Sequence, residues 1–244
     1  MSSAAQFLHI LPQATAPAAE NMATDWLMLE HFPHPESARL RFYGWDRPSF
    51  TFGYGQKCPE ARAHCPARVD LIRRPTGGGL VDHRSDWTYA LVIPPAHALA
   101  QARACASYRT VHEALARALQ ESGVQCRLQP THCADEVAHA ALGKKLSVCF
   151  QQAEPFDVVR LDDSRKIAGA AQKRTRQGML FQGSVDRMAV PELKNRENLA
   201  ELFSQRLGEI LQAKPRALAQ PPFPPVLLAE TGAKFAAAEW NEKR

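Results

Sequence analysis

The chain has 244 residues, of which 45% are hydrophobic and 23% are charged, and its formal net charge is +5. This length suffices to bury one sizeable core, with or without a small appendage. No stretch approaches the ~18 consecutive apolar residues that a membrane span requires. Residues 1–19 lack both the pattern of a secretory signal and the arginines of a mitochondrial presequence. We therefore expect a cytoplasmic protein with no membrane partner.

Six cysteines are distributed along the chain rather than clustered. Disulfide scaffolds are short, secreted and dense in cysteine, so reduced thiols are the expectation here. No Cys-x-x-Cys pair occurs, and the segment 131–133 with His139 lacks the paired spacing of a metal site, so no metal is expected. The cysteines are Cys58, Cys65, Cys105, Cys126, Cys133 and Cys149.

The net positive charge of the chain, with a pI near 9.0, suits binding to either nucleic acid or an acidic protein partner. The basic residues form only short clusters, at Arg73-Arg74 and at 173–176, each beside a turn or glycine-rich segment. No aromatic RNA-binding signature accompanies them. We therefore expect no nucleic-acid partner.

The first half of the chain predicts one helix and then several strands. Apolar residues recur at helical spacing over 21–32, and Pro33 ends that helix. Strands are predicted at 40–43, 49–54, 70–74 and 87–93. The third of these runs directly into the glycine-rich loop 75–79.

The second half predicts two amphipathic helices, at 107–122 and 193–213, with strands between them. The predicted strands are 125–129, 146–150, 156–161, 166–171 and 179–185, and residues 162–165 form a hairpin connection.

Strands and helices are mixed without regular alternation. This pattern favours an α+β fold with a mixed, largely antiparallel sheet flanked by helices. Residues 1–214 are expected to form the main domain. Residues 215–225 read as a proline-rich linker, and 226–240 as a short element packed on the same domain, within the segment 215–244.

The loop after the third strand contains the triplet Gly77-Gly78-Gly79. Such a triplet permits unusual backbone angles and close approach of a ligand to main-chain N–H groups. A flexible turn explains the triplet equally well when it is taken alone. The adjacent Arg73 and Arg74 favour a polar or anionic ligand.

Lys166 begins a strand-like segment with Gly169 in its interior. A glycine inside a strand often marks close approach of a ligand or another backbone. A lysine there can hold a phosphate or a developing oxyanion, or can lower the pKa of a nearby thiol. In isolation, however, a solvated hairpin lysine is the better explanation.

Cys149 lies in the apolar segment 146–150, where a buried, inert thiol is the usual finding. A basic neighbour and solvent access would make it a nucleophile. His83 and Asp86 follow the glycine triplet, and for them structural hydrogen bonding is favoured over catalysis.

Taken together, these segments resemble the lipoate-attachment superfamily, which comprises lipoate–protein ligases, octanoyltransferases and, more remotely, biotin ligases. Five stretches match in order and span nearly the whole chain. They are NMATD (21–25), GYGQ (53–56), RRPTGGG (73–79) with DWTY (86–89), KIAGAAQ (166–172) with QGS (182–184), and KF (234–235) with EWN (239–241).

The resemblance is nearest to the cysteine-dependent octanoyltransferases, because Cys149-Phe150, with the cysteine seventeen positions before Lys166, looks like their Cys-Phe element. It implies the fold of a biotin/lipoate ligase catalytic domain, with Cys149 and Lys166 as catalytic residues. Cys149 would take an octanoyl or lipoyl group from acyl carrier protein as a thioester. The acceptor would be a lysine of a lipoyl domain or of a glycine cleavage H-type protein, and no cofactor would be required.

The resemblance also implies a set of substrate-binding residues. Backbone N–H groups near the glycine triplet or Gly169 would stabilise the oxyanion, and the basic clusters would suit acidic carrier and lipoyl domains. The set is Arg73, Arg74, Thr76, Gly77, Gly78, Gly79, His83, Gly169, Ala170 and Gln172.

Two other functions remain open. An ATP-dependent lipoate–protein ligase would form an acyl-adenylate with ATP and Mg. Gly79 favours it, because ligases carry glycine where some octanoyltransferases carry arginine. Against it, many ligases lack the cysteine and carry an additional C-terminal domain, for which we expect no room in this chain. A non-catalytic acyl- or cofactor-binding protein is the second alternative.

Overall fold

The computed structural model describes residues 7–130 and 153–243, and their strands form two sheets of unequal size. In chain order the strands are β1 (Phe7–Ile10), β2 (Ala14–Ala16), β3 (Ala38–Trp45), β4 (Ser49–Phe52), β5 (Asp70–Arg73), β6 (Val81–Asp82), β7 (Asp86–Ile93), β8 (Cys126–Leu128), β9 (Val158–Arg160), β10 (Lys166–Thr175), β11 (Gly178–Asp186) and β12 (Lys214–Ala217).

The helices of the described residues flank these sheets. They are α1 (Ala18–Glu30), α2 (Cys58–Arg62), α3 (Ala98–Gln101), α4 (Ala104–Glu121), α5 (Arg196–Leu211), α6 (Pro225–Ala236) and α7 (Ala238–Asn241). Within these described segments, none of the helices combines the length and the apolar character needed to cross a membrane.

The larger sheet has the strand order β12-β1-β3-β7-β11-β10-β9-β8, and β2 pairs with β3 beside this path. Pairing is antiparallel from β3 through β7, β11, β10 and β9 to β8. It is parallel where β1 meets β12 and β3, and where β2 meets β3. The expected mixed, largely antiparallel sheet flanked by helices is therefore confirmed.

Alternation along the central strands gives this sheet two different faces. On β11, Met179 and Phe181 point into the main core, which α4 and α5 cover. Leu180, between them, points to the opposite face and into a second core beneath α1. In the main core, the Phe203 ring of α5 packs edge-on against Tyr89, with ring centroids 5.1 Å apart.

The smaller sheet has the order β5-β4-β6 and lies over the α1 side of the larger sheet. It has a small core of its own, in which Phe50, Phe52 and Leu80 pack against Ala61 of α2. The space between the two sheets contains the site described below.

Several elements differ from the sequence expectation. The proposed linker 215–225 begins within β12, which pairs in parallel with β1 at the sheet edge. Pro215 obscured this strand, although an edge strand tolerates a residue that cannot donate to the ladder. The segment 226–240 is largely helical and packs on α1, where the Phe235 and Trp26 rings lie 6.5 Å apart. The predicted strand 146–150 lies outside the described residues.

Phe203→Ala should lower the free energy of unfolding by roughly 3–5 kcal/mol, because it leaves a cavity between α5 and the sheet. Urea denaturation measures this change. Met188→Ala is the control, since Met188 is 65% exposed and its truncation should cost less than about 0.5 kcal/mol. Equal effects of the two substitutions would contradict the assigned core.

Candidate active site

A cleft lies between the two sheets, and its empty space, part of which is open to solvent, is about 500 Å³. Its floor is a row of directly paired residues on four adjacent strands, Gly169, Ser184, Thr88 and Tyr43. The row spans three strand spacings, about 14 Å. The opposite wall comes from the smaller sheet and its loops, and its residues are Thr51, Arg74, Gly78, Val81 and His83.

The polar residues at one end of the cleft bind each other. The Asp86 carboxylate accepts a hydrogen bond from Ser184 Oγ and lies 2.7 Å from His83 Nδ1. Thr88 Oγ1 accepts from the Trp45 indole at 2.8 Å, and the Trp45 ring stacks on His83 with centroids 4.2 Å apart. Because these polar atoms are engaged with one another, the cleft surface is mainly apolar despite its composition. Such a surface suits an alkyl chain.

Arg74 holds the glycine triplet in place. Its guanidinium is buried and donates to the carbonyl oxygens of Gly77 and Gly79, the latter at 2.7 Å, and to the Thr51 carbonyl at 3.2 Å. Gly78 has φ +85°, and a Cβ there would lie 2.8 Å from Arg74 Nη2. The Arg74 guanidinium therefore fixes the conformation of the loop, and glycine is required at the centre of the loop.

Lys166 is buried against a carboxylate at the other end of the floor. Its Nζ lies 2.7 Å from Asp157 Oδ2, and Asp157 is fully buried. Tyr108 donates its hydroxyl proton to Asp157 Oδ1. A Cβ on Gly169 would stand 2.8 Å from Lys166 Cε and 3.0 Å from Asp157 Oδ1. Gly169 therefore leaves the space that this ion pair occupies.

A buried polar network supports the glycine loop from below. Thr76 Oγ1 donates to Gln182 Oε1 at 2.8 Å, and Gln182 Nε2 donates to Asp25 at 2.7 Å. Tyr43 also donates to Asp25, and Arg41 lies 3.3 Å from it. Burial raises the pKa of the Asp25 carboxyl, and the positive charge of Arg41 opposes that change. The network joins α1, β3 and β11 to the loop.

Arg73, which belongs to the expected substrate-binding set, is not among the described residues that line the cleft. Its guanidinium donates to four main-chain carbonyls, those of Tyr54, Gln56, Trp240 and Asn241. The Trp240 indole in turn donates to the Arg73 carbonyl at 2.7 Å. This arginine fastens α7 to the loop that follows β4.

The structure brings together six of the expected site residues in the cleft lining: Arg74, Gly78, His83, Lys166, Gly169 and Ala170. Thr76, Gly77 and Gly79 belong to the same loop and hydrogen-bond to two lining residues, Gln182 and Arg74. Gln172 donates to the Ala104 carbonyl of α4 at 2.8 Å. Cys149 lies outside the described residues, as do Cys133 and His139.

Sequence reasoning missed Asp157, which pairs with Lys166, and Tyr108, which hydrogen-bonds to Asp157. Tyr108 was assigned to the apolar face of its helix, and its hydroxyl gave no separate signal. Asp157 stands immediately before β9, nine positions before the lysine. The sequence did contain one indication, because this acidic residue directly precedes the two valines that begin a buried strand. A carboxylate in such a place needs a partner.

The remaining chemistry of the described residues is limited. Cys58, Cys65, Cys105 and Cys126 are free thiols. Among the residues that the structure describes, no group of three or more His, Cys, Asp or Glu side chains is placed to hold a metal ion.

The fold and the cleft define a catalytic domain of the lipoate-attachment class, and comparison with known proteins agrees. The model of the lipoyl protein ligase A/B catalytic domain matches residues 17–189. The chain belongs to this family, as the sequence resemblance indicated.

Several relatives of the chain are named octanoyltransferase LipM. The protein from Kyrpidia tusciae is 31% identical over 185 residues, which cover 74% of this chain and 66% of that protein, just under two thirds of its length. The protein from Symbiobacterium thermophilum is 32% identical over 241 residues, which cover 93% of this chain and 83% of that protein.

Solved structures show the same fold. A putative lipoate protein ligase from T. acidophilum superposes with a TM-score of 0.73 at 20% identity, covering 98% of this chain and 100% of that one. A lipoate-protein ligase A bound with ATP gives a TM-score of 0.70 at 20% identity, covering 97% of this chain and 98% of that one.

Arg73→Lys should lower the free energy of unfolding by roughly 2 kcal/mol or more, because a single ammonium cannot serve four carbonyls arranged around a planar guanidinium. Urea denaturation measures the loss. Arg109→Lys is the matched control, since Arg109 is exposed and its ion pair with Glu113 is a surface contact. Unchanged stability together with weaker binding of the acyl donor would contradict this role and indicate that Arg73 contacts the substrate.

Cys126 should resist alkylation by iodoacetamide in the native protein at pH 8, whereas exposed Cys105 should react. Burial raises the pKa of the Cys126 thiol to about 11, with Arg160 opposing, so only about one part in a thousand would be thiolate at that pH. Peptide mass spectrometry of each cysteine gives the result. Alkylation of both thiols at the same rate would contradict the assigned burial.

Proposed function

We propose that the chain transfers an octanoyl or lipoyl group from acyl carrier protein to a specific lysine of a lipoyl domain or a glycine cleavage H-type protein. The intermediate is a thioester on Cys149, and the reaction takes place in the cytoplasm. The supporting observation is the mainly apolar cleft that ends at the buried ammonium of Lys166. Support also comes from relatives at about 30% identity that are named octanoyltransferases.

The proposed chemistry has two balanced steps. The thiolate of Cys149 attacks the carbonyl of the carrier thioester, a new C–S bond forms, and the carrier thiolate leaves and takes up a proton. The ε-amine of the acceptor lysine then attacks the enzyme thioester. An amide forms, the amine loses a proton, and the Cys149 thiolate is released. The first step exchanges one thioester for another, so neither ATP nor a metal ion is required.

Within this proposal, Lys166 supplies positive charge near the reacting carbonyl. An ammonium beside the thiol stabilises the thiolate, and charge that develops on the carbonyl oxygen is stabilised most strongly in a cleft that excludes water. Main-chain N–H groups of the glycine loop are the proposed additional donors, because Arg74 fixes that loop through its carbonyl groups. The acyl chain lies along the floor of the cleft toward Tyr43 and Trp45.

Gly79 favours a second candidate, the ATP-dependent lipoate–protein ligase with ATP and Mg as co-substrates. In that reaction Lys166 would hold a phosphate of the acyl-adenylate instead of assisting a thiolate. A protein that binds acyl groups without catalysis is the third candidate.

Intact-mass spectrometry after mixing the chain with octanoyl-carrier protein separates these candidates. The transferase is expected to gain one octanoyl group without ATP, to lose it when an acceptor domain is added, and to gain none as Cys149→Ala. Cys105→Ala is the matched control and should acylate normally. Acylation of the acceptor from free octanoate and ATP that survives Cys149→Ala would replace the transferase by the ligase. Tight octanoate binding with no acylation in either assay would indicate the third candidate.

A further inference from the structure

The Lys166–Asp157 ion pair is part of a longer hydrogen-bonded chain whose centre is Tyr108. The Tyr108 hydroxyl on α4 accepts from the Ala170 main-chain N–H at 3.0 Å and donates to Asp157 Oδ1. The second carboxylate oxygen, Oδ2, lies 2.7 Å from Lys166 Nζ and accepts from the Glu154 main-chain N–H at 2.7 Å. Both oxygens of the carboxylate are therefore occupied.

The direction of each bond in this chain is determined by its chemistry. An ionised carboxylate can only accept, so the phenol proton must point to Asp157 and a phenol lone pair must accept from Ala170. Burial raises the pKa of the Tyr108 phenol well above its ordinary value, and the negative charge of Asp157 raises it further. Tyr108 therefore remains a neutral donor near neutral pH.

This arrangement limits where the ammonium can lie. Gly169 leaves a space whose outline is set by Lys166 Cε and Nζ on one side and by Asp157 Oδ1 on the other. If Asp157 rotated, Nζ would lose its contact with the Oδ2 oxygen. The Tyr108 hydroxyl opposes this rotation, because it binds the carboxylate oxygen that does not contact Lys166.

We propose that Tyr108 is a positioning residue for Lys166: it fixes Asp157, and Asp157 fixes the ammonium over Gly169 at the wall of the cleft. The catalytic consequence rests on the proposed function, in which Lys166 acts on the reacting thioester. A second consequence concerns the oxyanion. The Ala170 N–H is committed to Tyr108, so among the described residues the proposed donors for an oxyanion are those of the glycine loop and Lys166.

Tyr108→Phe tests the proposal, because it removes one oxygen and keeps the ring that packs 4.1 Å from His112. The kcat for self-acylation and transfer should fall roughly ten- to a hundredfold, while KM for the octanoyl donor changes less than about threefold. In an Asp157→Asn background, Tyr108→Phe should have almost no further effect on kcat, because Tyr108 acts through Asp157.

Tyr89→Phe is the matched control. Tyr89 is another tyrosine of the same core, and its hydroxyl has no hydrogen-bond partner among the described residues. Its kcat should stay within about twofold of the wild type. Thermal melts of both variants show whether either substitution unfolds the protein. If Tyr108→Phe does not fold, Asp157→Asn alone should produce the same fall in kcat and the same labelling change described next.

A second readout needs no enzymatic activity. Lys166 is 6% exposed, so acetylation by a soluble N-hydroxysuccinimide ester should be slow in the wild type and severalfold faster in Tyr108→Phe, but not in Tyr89→Phe. Peptide mass spectrometry quantifies the labelling at Lys166. Unchanged labelling, or a kcat within twofold of the wild type, would overturn the proposal. Faster labelling in a protein that transfers no acyl group would leave the positioning role intact and refute the proposed function instead.

Discussion

A buried ammonium stabilised by a buried carboxylate is the constraint on which the candidate site depends. Removing both charges from water costs several kcal/mol, and this cost is offset only when the remaining donors and acceptors are satisfied. Lys166 begins β10 and Asp157 immediately precedes β9, so the ion pair joins two neighbouring strands of one hairpin. Position 169 must then lack a side chain, and α4 must bring a hydroxyl to the free carboxylate oxygen. The need to pair this buried ammonium thus explains why position 169 is glycine and why α4 contacts Asp157. It also sets one end of the cleft.

Arg73 and Arg74 are also buried charges whose donors are satisfied, in their case by main-chain carbonyls. Successive residues of an extended segment point to opposite sides, so Arg73 and Arg74 enter different environments. Arg74 turns toward the cleft and binds the carbonyls of the glycine loop. Arg73 turns away and fastens the C-terminal helix α7 to the chain that follows β4. A guanidinium suits both roles, because its fork of donors serves several carbonyls at once.

Much of the fold was predictable because local patterns are strong in its centre. The alternation of 87–93 and 179–185 corresponds to β7 and β11, and the helical spacing of 107–122 and 193–213 corresponds to α4 and α5. Strand β12 was not predictable, because Pro215 contradicts a strand unless the partner β1 is known to leave that edge open. Local sequence carries no information about a partner two hundred residues away.

The residues of the candidate site also divide into those that the sequence identified and those that it did not. Glycines 78 and 169 were identifiable because a residue without a side chain is conspicuous, and the close contacts at both positions account for them. The separate roles of Arg73 and Arg74 depend on the direction of a strand edge and on the later helix α7. Tyr108 resembled any other residue on the apolar face of a helix, and its hydroxyl gains a role only when Asp157 is brought near by the fold. Composition identifies residues that need partners, whereas topology determines which partners they receive.

The cleft itself follows from the internal pairing of its polar residues. A lining that includes Thr51, Thr88, Ser184 and His83 would ordinarily be hydrated and would bind an alkyl chain weakly. Here Asp86 and Trp45 engage the polar atoms at that end, so a ligand meets methyl groups and ring faces. At the opposite end, the Lys166 ammonium lies against the Asp157 carboxylate. A mainly apolar cleft with an ammonium at one end can orient an amphiphilic chain with its carbonyl toward Lys166, and the proposed acyl transfer requires that orientation.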